Sequence, residues 1–412
     1  MDWVACVGID WADKKHDWRS WSADGKGDGG VFGAKPEQIH EWVRQLRERY
    51  PAGKILIVLE QSRGALIYAL AEYDFLLLMP INPRAFKAYR ESQRLSGAKD
   101  DPSDADLICN FGRLHHERLR VWTPDDQKIR KMRLLVEQRR GLVDLRTAST
   151  QALTAACKEY FPQVLEWFGG AGEKLTLAFV AKWPTLAQAK AARPASVRSF
   201  IKSNGRRTEA KIEEVIEGIR SAVALTSDAA IMDAKALVAQ SLSEVITTLD
   251  EQVKRHDHEI ESLMVDDVDC ELFASFPGAG KVMAPRLAVA FGRDRTRWDD
   301  ATQIQSYSGI APVVVSSGKE RRVQARWRCP KFLRQTFHEF AEASLPHSTW
   351  ALAFYRQQKD RGAKHHAAIR ALAYRWIRVL FRCWKLNEHY DEARYVARLR
   401  QRNSPVVKRL AA

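Results

Sequence analysis

The chain has 412 residues, 45% of them hydrophobic and 28% charged, a composition that excludes a disordered protein and allows two or three domains with their own cores. Lysine and arginine number 66 against 51 acids, and the resulting +15 points to a polyanionic partner. No apolar run approaches the ~18 residues of a spanning helix, the start Met1-Asp2-Trp3-Val4 is unlike a signal peptide, and six scattered cysteines without a C-x-x-C pair fit neither a zinc cage nor a secreted disulfide framework. A cytoplasmic protein without a membrane partner is expected.

The first hundred residues alternate between strand and helix signals. Val4 to Ile9 reads as a strand, and Asp17 to Ala23 and Gly30 to Ala34 as two more, separated by the turn-rich Asp24 to Gly29. Pro36 opens a helix with Ile39, Trp42, Val43 and Leu46 at helical spacing. Lys54 to Leu59 is a buried strand, Gly64 to Tyr73 a helix and Phe75 to Ile81 another buried strand. This is the RNase H-like order, a mixed sheet with helices on its faces.

From about Asp125 long helices take over. One is predicted over Lys128 to Tyr160, followed by a glycine-rich break at 169–172 and shorter helical pieces to about Ser221. A second long helix is predicted from about Asp228 to Met264. Its Ala239, Leu242, Ile246, Leu249, Val253, His256, Ile260 and Leu263 step by three and four, the pattern of a coiled-coil seam. That seam could pack within a globular domain, against the first long helix, or between subunits. Phe273 begins a third, mainly helical region with a turn-rich patch at Ser308 to Arg326, two further helices to about Lys385 and a loose basic tail over Arg398 to Lys408. The expected divisions are 1–122, a RuvC-like catalytic domain; 123–268, a helical or coiled-coil region; 269–395, a mainly α C-terminal domain; and 396–412, a basic tail.

Four acids stand where an RNase H-like sheet would bring them together. Asp10 follows the first strand, Glu60 ends the fourth, and Asp101 and Asp104 lie three apart at a helix start in Asp101-Pro102-Ser103-Asp104. Each alone would pass for a turn or cap residue. Crowded carboxylates repel unless cations neutralise them, and hard oxygen donors suit Mg²⁺, a pair of which can serve a phosphoryl displacement.

A second set lies further on. Gly309-Ile310-Ala311-Pro312 leads to Ser316-Ser317-Gly318 and a basic run of Lys319, Arg321, Arg322, Arg326 and Arg328. The serines could simply turn the chain; a serine nucleophile acting on a phosphodiester would need such cations. The same cations, with Lys331 and Arg334, are candidate nucleic-acid contacts. Pro277-Gly278-Ala279-Gly280-Lys281 resembles a helix-hairpin-helix turn, which makes Gly278, Gly280 and Lys281 candidate phosphate contacts. It is no nucleotide-binding loop, since Ser275 and Val282 stand where that pattern needs glycine and Ser or Thr.

These residues together resemble the DEDD transposases of the Piv/MooV invertase type, bridge-RNA-guided serine recombinases of insertion sequences. The resemblance covers roughly residues 1–120 and 270–390. It implies Asp10, Glu60, Asp101 and Asp104 as magnesium ligands, Ser317 as nucleophile, donor and target DNA and a structured guide RNA as partners, and a homo-oligomer, dimer or tetramer. Two departures stand out: the middle region is longer than usual, and Arg328-Cys329-Pro330-Lys331-Phe332-Leu333-Arg334 replaces the customary Lys-x-Gly stretch after the serine. The expectation is an RNA-guided DNA recombinase. A RuvC-like nuclease using metal-activated water and a non-catalytic RNA- and DNA-binding scaffold are the alternatives.

Overall fold

The computed structural model describes residues 3–22, 24–93, 101–317 and 320–406, leaving out the side chains of residues 101–103, 315, 317, 320 and 321. The chain forms two compact units, Met1–Pro124 and Asp125–Ala412.

The first unit is built on a five-stranded sheet. Its strands are β1 (Ala5–Asp10), β2 (Lys15–Ser22), β3 (Gly27–Gly33), β4 (Ile55–Leu59) and β5 (Leu76–Pro80), in the order β3-β2-β1-β4-β5. The first three pair antiparallel, while β4 runs parallel to β1 and to β5, which fits the RNase H-like order. Four helices flank it: α1 (Pro36–Arg49), α2 (Ala65–Leu70), α3 (Pro83–Gln93) and α4 (Asp101–His115). Strand side chains alternate between faces. Val7, Ile9, Ile57 and Leu59 pack with Trp42 and Val43 of α1 and Leu66 and Ile67 of α2. Cys6, Leu56 and Val58 pack on the other face with Phe86 of α3 and Ile108 and Cys109 of α4.

β3 begins three residues earlier than predicted, and the expected turn is correspondingly shorter. Gly27 and Gly29, read as turn residues, pair in the ladder; the Trp21 ring lies 3.3 Å from where a Cβ on Gly27 would be, and Trp18 covers the strand residue Gly30 in the same way. Tryptophans across the strand supply the side-chain cover the glycines lack.

In the second unit two long helices, α5 (Gln127–Tyr160) and α11 (Ala229–Met264), run antiparallel. Lys131 meets Glu259, Arg139 meets Asp257, Arg146 meets Asp250 and Lys235 meets Glu159, so numbers rise along one helix as they fall along the other. Of the seam foreseen on α11, Ala239, Ile246 and Ile260 are buried, each in a core to which α5 also contributes. Between them in sequence lie α6 (Gln163–Phe168), α7 (Lys174–Lys182), α8 (Leu186–Ala191), α9 (Pro194–Asn204) and α10 (Glu209–Ser221). These form a cap with its own core, in which Phe168, Phe179, Ile201 and Ile212 join Leu153 and Cys157 of α5 and Ala239 and Ile246 of α11.

At the other end of the pair, Ile129, Met132 and Val136 of α5 and Ile260 of α11 enter a larger core. It is shared with α12 (Val268–Ala274), α13 (Gly280–Phe291), α14 (Ala301–Tyr307), α15 (Lys331–Ala343), α16 (Thr349–Asp360), α17 (His365–Leu386) and α18 (Glu392–Gln401). The larger core therefore takes residues from both sides of position 268, and α5 and α11 belong to both cores. The patch at 308–326 holds a hairpin, β6 (Val313–Ser317) and β7 (Glu320–Gln324), built on the β-branched run Val313-Val314-Val315. Three helices follow where two were predicted. The basic tail expected from residue 396 begins inside α18, where Asp391 caps the helix, Leu399 is buried, and Val406 beyond it is buried too. No helix among the described residues is long and apolar enough to cross a membrane.

Candidate active site

Asp10 and Glu60 each extend one of two adjacent parallel strands just past the paired residues Ile9 and Leu59. Neighbouring strands lie about 4.8 Å apart, and the alternation that turns Gly8 and Val58 toward α4 continues to both acids. A close approach of backbones holds α4 over this face. A Cβ on Gly8 would fall 2.4 Å from the Ala105 carbonyl oxygen and 2.3 Å from the Cys109 amide nitrogen, and one on Gly112 would strike Val58 at 2.2 Å. The Cys6 thiol donates to the Cys109 carbonyl at 3.5 Å and the Cys109 thiol to that of Cys6 at 3.1 Å, so α4 runs antiparallel to β1 and its first turns lie toward Asp10.

Asp104, in the first turn of α4, is buried to 2% exposure. Arg90 of α3 donates to its Oδ2 at 2.8 Å. The backbone of Asp101 begins α4, and its side chain lies outside the described residues. An all-oxygen donor set of three carboxylates carried toward one face fits the chemistry of magnesium. Among the described residues no group of three His, Cys, Asp or Glu side chains is close enough to hold a metal ion together. The Arg90 guanidinium is a cation that faces Asp104.

Two residues here escaped the sequence reading. Asp17, buried in β2, is the direct cross-strand partner of Asp10. Opposed residues of an antiparallel pair share a face, so a further carboxylate adjoins the acidic edge. Its neighbour His16 is buried against Phe32, and burial lowers its pKa while the Asp17 charge acts in the opposite sense. Arg90 was missed as well. Only the strand register and the fold of α3 bring these two to the acids; no sequence spacing marks them.

The serine set occupies the β6–β7 hairpin. Ser317 closes β6 opposite Glu320, Ser316 is exposed and pairs with Arg321, and the side chains of Ser317 and Arg321 lie outside the described residues. Gly318 and Lys319 lie outside them entirely. Gly309 has φ +76° and a Cβ there would meet the Cys329 sulfur at 2.3 Å, so the Gly309-x-x-Pro312 turn is packed by the residues that return from the hairpin. Arg322 and Arg328 are exposed, Arg326 is half-buried, Lys331 is exposed and Arg334 half-buried. Trp327, 80% exposed between Arg326 and Arg328, was not singled out from the sequence. An aromatic interleaved with basic residues was the available signal.

The Pro277–Lys281 turn links α12 to α13. Gly278 has φ +76° and would strike the Ala343 carbonyl with a Cβ, while Gly280 has φ +46° and open space. The Lys281 ammonium lies 3.2 Å from Glu261.

Residues 7–162 match the DEDD transposase model of IS110, and residues 270–356 match the transposase model of the IS116/IS110/IS902 family. Together they cover more than half of the chain; the unmatched stretch between them holds the cap and α11. The chain is 29% identical to the "Mini-circle putative transposase for IS117" of Streptomyces coelicolor, over 96% of this chain and 97% of that one. It is 26% identical to the 44.8 kDa protein of insertion element IS116 from Streptomyces clavuligerus, over 71% of this chain and 74% of its relative. With the 42 kDa protein of insertion element IS900 from Mycobacterium paratuberculosis it shares 23% identity, over 79% and 81%.

Proposed function

The chain belongs to the IS110 family of transposases, and from that premise we propose that it is an RNA-guided DNA recombinase in which Asp10, Glu60, Asp101 and Asp104 hold magnesium and Ser317 is the nucleophile. What supports the acidic half of this reading is the seating of α4 on Gly8, which carries the Asp104 turn toward the strand ends bearing Asp10 and Glu60. Bound there, magnesium would offset the carboxylate charges and polarise a phosphodiester oxygen.

The rest of the chemistry falls to the chain's own groups. The Ser317 hydroxyl oxygen attacks phosphorus, forming a phosphoserine ester as the bond to a deoxyribose oxygen breaks. The proton lost by the hydroxyl balances the one taken up by the departing oxygen. A hydroxyl of the exchanged strand then attacks the same phosphorus and releases the serine, so no external energy source is needed. Arg322, Arg326 and Arg328 lie along the hairpin and its return, where cations would stabilise the charge gathering on phosphorus. Guide RNA, paired to donor and target, would choose the sites, leaving the protein to bind backbones.

Quenching a reaction in denaturant should trap DNA on the protein. Ser317→Ala should give no adduct and no strand exchange, and Ser316→Ala should retain both. Normal recombination by Ser317→Ala would instead leave a RuvC-like site acting through water. Guidance has its own test: RNA with altered pairing loops should move insertion to the newly matched site. Insertion that stays put would mean that the protein reads DNA directly.

A further inference from the structure

The arginines that hold the second unit together are neutralised where they stand. Arg133 pairs with Asp125 at 2.6 Å, Arg286 with Glu339 at 2.6 Å and Arg140 with Glu339 at 2.8 Å, while Arg139, Arg146 and Arg295 meet Asp257, Asp250 and Asp269. The groove between α17 and α18 breaks this pattern. Its volume is about 670 Å³, and arginines line both walls. Arg375, Arg378 and Arg382 follow one another on α17 at steps of three and four; Arg394 and Arg398 lie on α18, with Arg402 at its C-cap, four apart each time. Such steps keep each set on one helix face.

Two of the six are engaged by the protein. Arg375 lies over the Phe354 and Trp350 rings at 5.2 and 5.3 Å, and Arg394 is 3.7 Å from Glu388. Among the described residues Arg378, Arg382, Arg398 and Arg402 have no carboxylate partner. The neighbouring acids are otherwise occupied: Asp391 caps α18, and Glu392 accepts from Ser348 and Tyr390. Burial pushes the Cys383 thiol at this groove up to about 11, the Glu388 charge acting in the same sense and the nearby Arg382, Arg394 and Arg398 in the opposite one. Four arginines without a carboxylate partner, against Glu388 and Asp391 in the same lining, leave the groove with an excess of positive charge that favours an anion. Tyr374, 37% exposed, offers an aromatic face at the same groove.

We propose that this groove binds a single-stranded segment of nucleic acid, with phosphates on Arg378, Arg382, Arg398 and Arg402 and a base against Tyr374. Phosphates alone would suit a duplex equally well. The aromatic decides for a single strand, whose bases are open to stacking. From Arg394 to Arg402 the wall runs about 12 Å at 1.5 Å per residue, enough for a short stretch of backbone. The proposal rests on the preceding reading only in taking nucleic acid as the ligand; the acids and Ser317 have no part in it.

The test is a binding titration of the full chain without divalent metal, across a salt series, with labelled RNA, single-stranded DNA and duplex DNA of one sequence. For single strands the slope of log K against log salt should shrink by about 1.4 in Arg378→Gln/Arg398→Gln, roughly 0.7 for each phosphate no longer neutralised. Lys190→Gln/Arg193→Gln, both exposed on the cap, should leave the slope unchanged. Tyr374→Leu should weaken single-strand binding and spare the duplex. Whichever single strand is weakened more, RNA or DNA, identifies the source. A wild-type slope in the Arg378/Arg398 variant, or an equal loss in the cap variant, would overturn the proposal. Were the double arginine variant to melt early, unchanged single-strand binding by Tyr374→Leu would overturn it in its place. Loss of cleavage in Asp10→Asn with groove binding intact leaves the groove standing, and an active recombinase with an unchanged slope removes the groove alone.

Discussion

At Gly8 the structure leaves no room for a side chain between β1 and the backbone of α4. Gly8→Ala should force α4 off the sheet, at a cost of about 1–3 kcal/mol read as a shifted denaturation midpoint. Strand cleavage should fall with it, because the turn bearing Asp104 moves with the helix; a variant with wild-type stability and cleavage would show that α4 can yield there at no cost. Asp10 and Glu60 were legible in the sequence because each ends an apolar run, the one place where a strand's last residue is conspicuous. Asp17 was hidden because His16-Asp17-Trp18-Arg19 reads as an ordinary half-exposed strand, and only the pairing Asp10↔Asp17 shows which edge it borders.

Among the elements, α15 and α17 carry a consequence for acid stability. His338 of α15 lies 5.5 Å, ring to ring, from His366 of α17. Burial first, and then the charge of His366, hold the His338 pKa below its ordinary value. The unfolded imidazole titrates near 6.5 and the folded one lower, so below about pH 6.5 the unfolded state binds more protons. Stability is therefore complete above that pH, declines as pH falls toward the folded value, and levels off beneath it. Thermal melts between pH 7.5 and 5 should show the decline, and His338→Gln should flatten part of it; an unchanged slope in that variant would assign the decline elsewhere. The elements hardest to read were those whose partners lie far away in sequence. The end of α18 looks like a charged tail because only Leu399 of the helix is fully buried, with Tyr395 and Val396 packed on the core in part, and the first residues of β3 look like a turn until Trp21 covers Gly27.

For the molecule as a whole, the first unit was nearly readable in order because buried parallel strands are uniform apolar runs. The second was readable only as long helices, since their periodicity does not say which core each stretch enters. Its cap has no chemistry-bearing motif and falls between the two family matches, so its compact core had no sequence signature beyond helix-length apolar spacing. Two ion pairs join α5 to α11 along their half-buried middle. Arg139 and Arg146 are seven apart, and so are Asp250 and Asp257. The bridge between the two cores therefore behaves as a ruler with a fixed phase. Adding one heptad to each helix within this interval should move the cap outward by about 10.5 Å at 1.5 Å per residue, while each inward stripe returns to within ~20° of its direction. Adding five residues to each should turn both stripes about 140° off their seam. The heptad variant is expected to melt cooperatively near the wild-type temperature with a longer profile in small-angle scattering, and the five-residue variant to lose the cap core. If both variants kept the cap equally well, its orientation would not depend on the phase of the two helices.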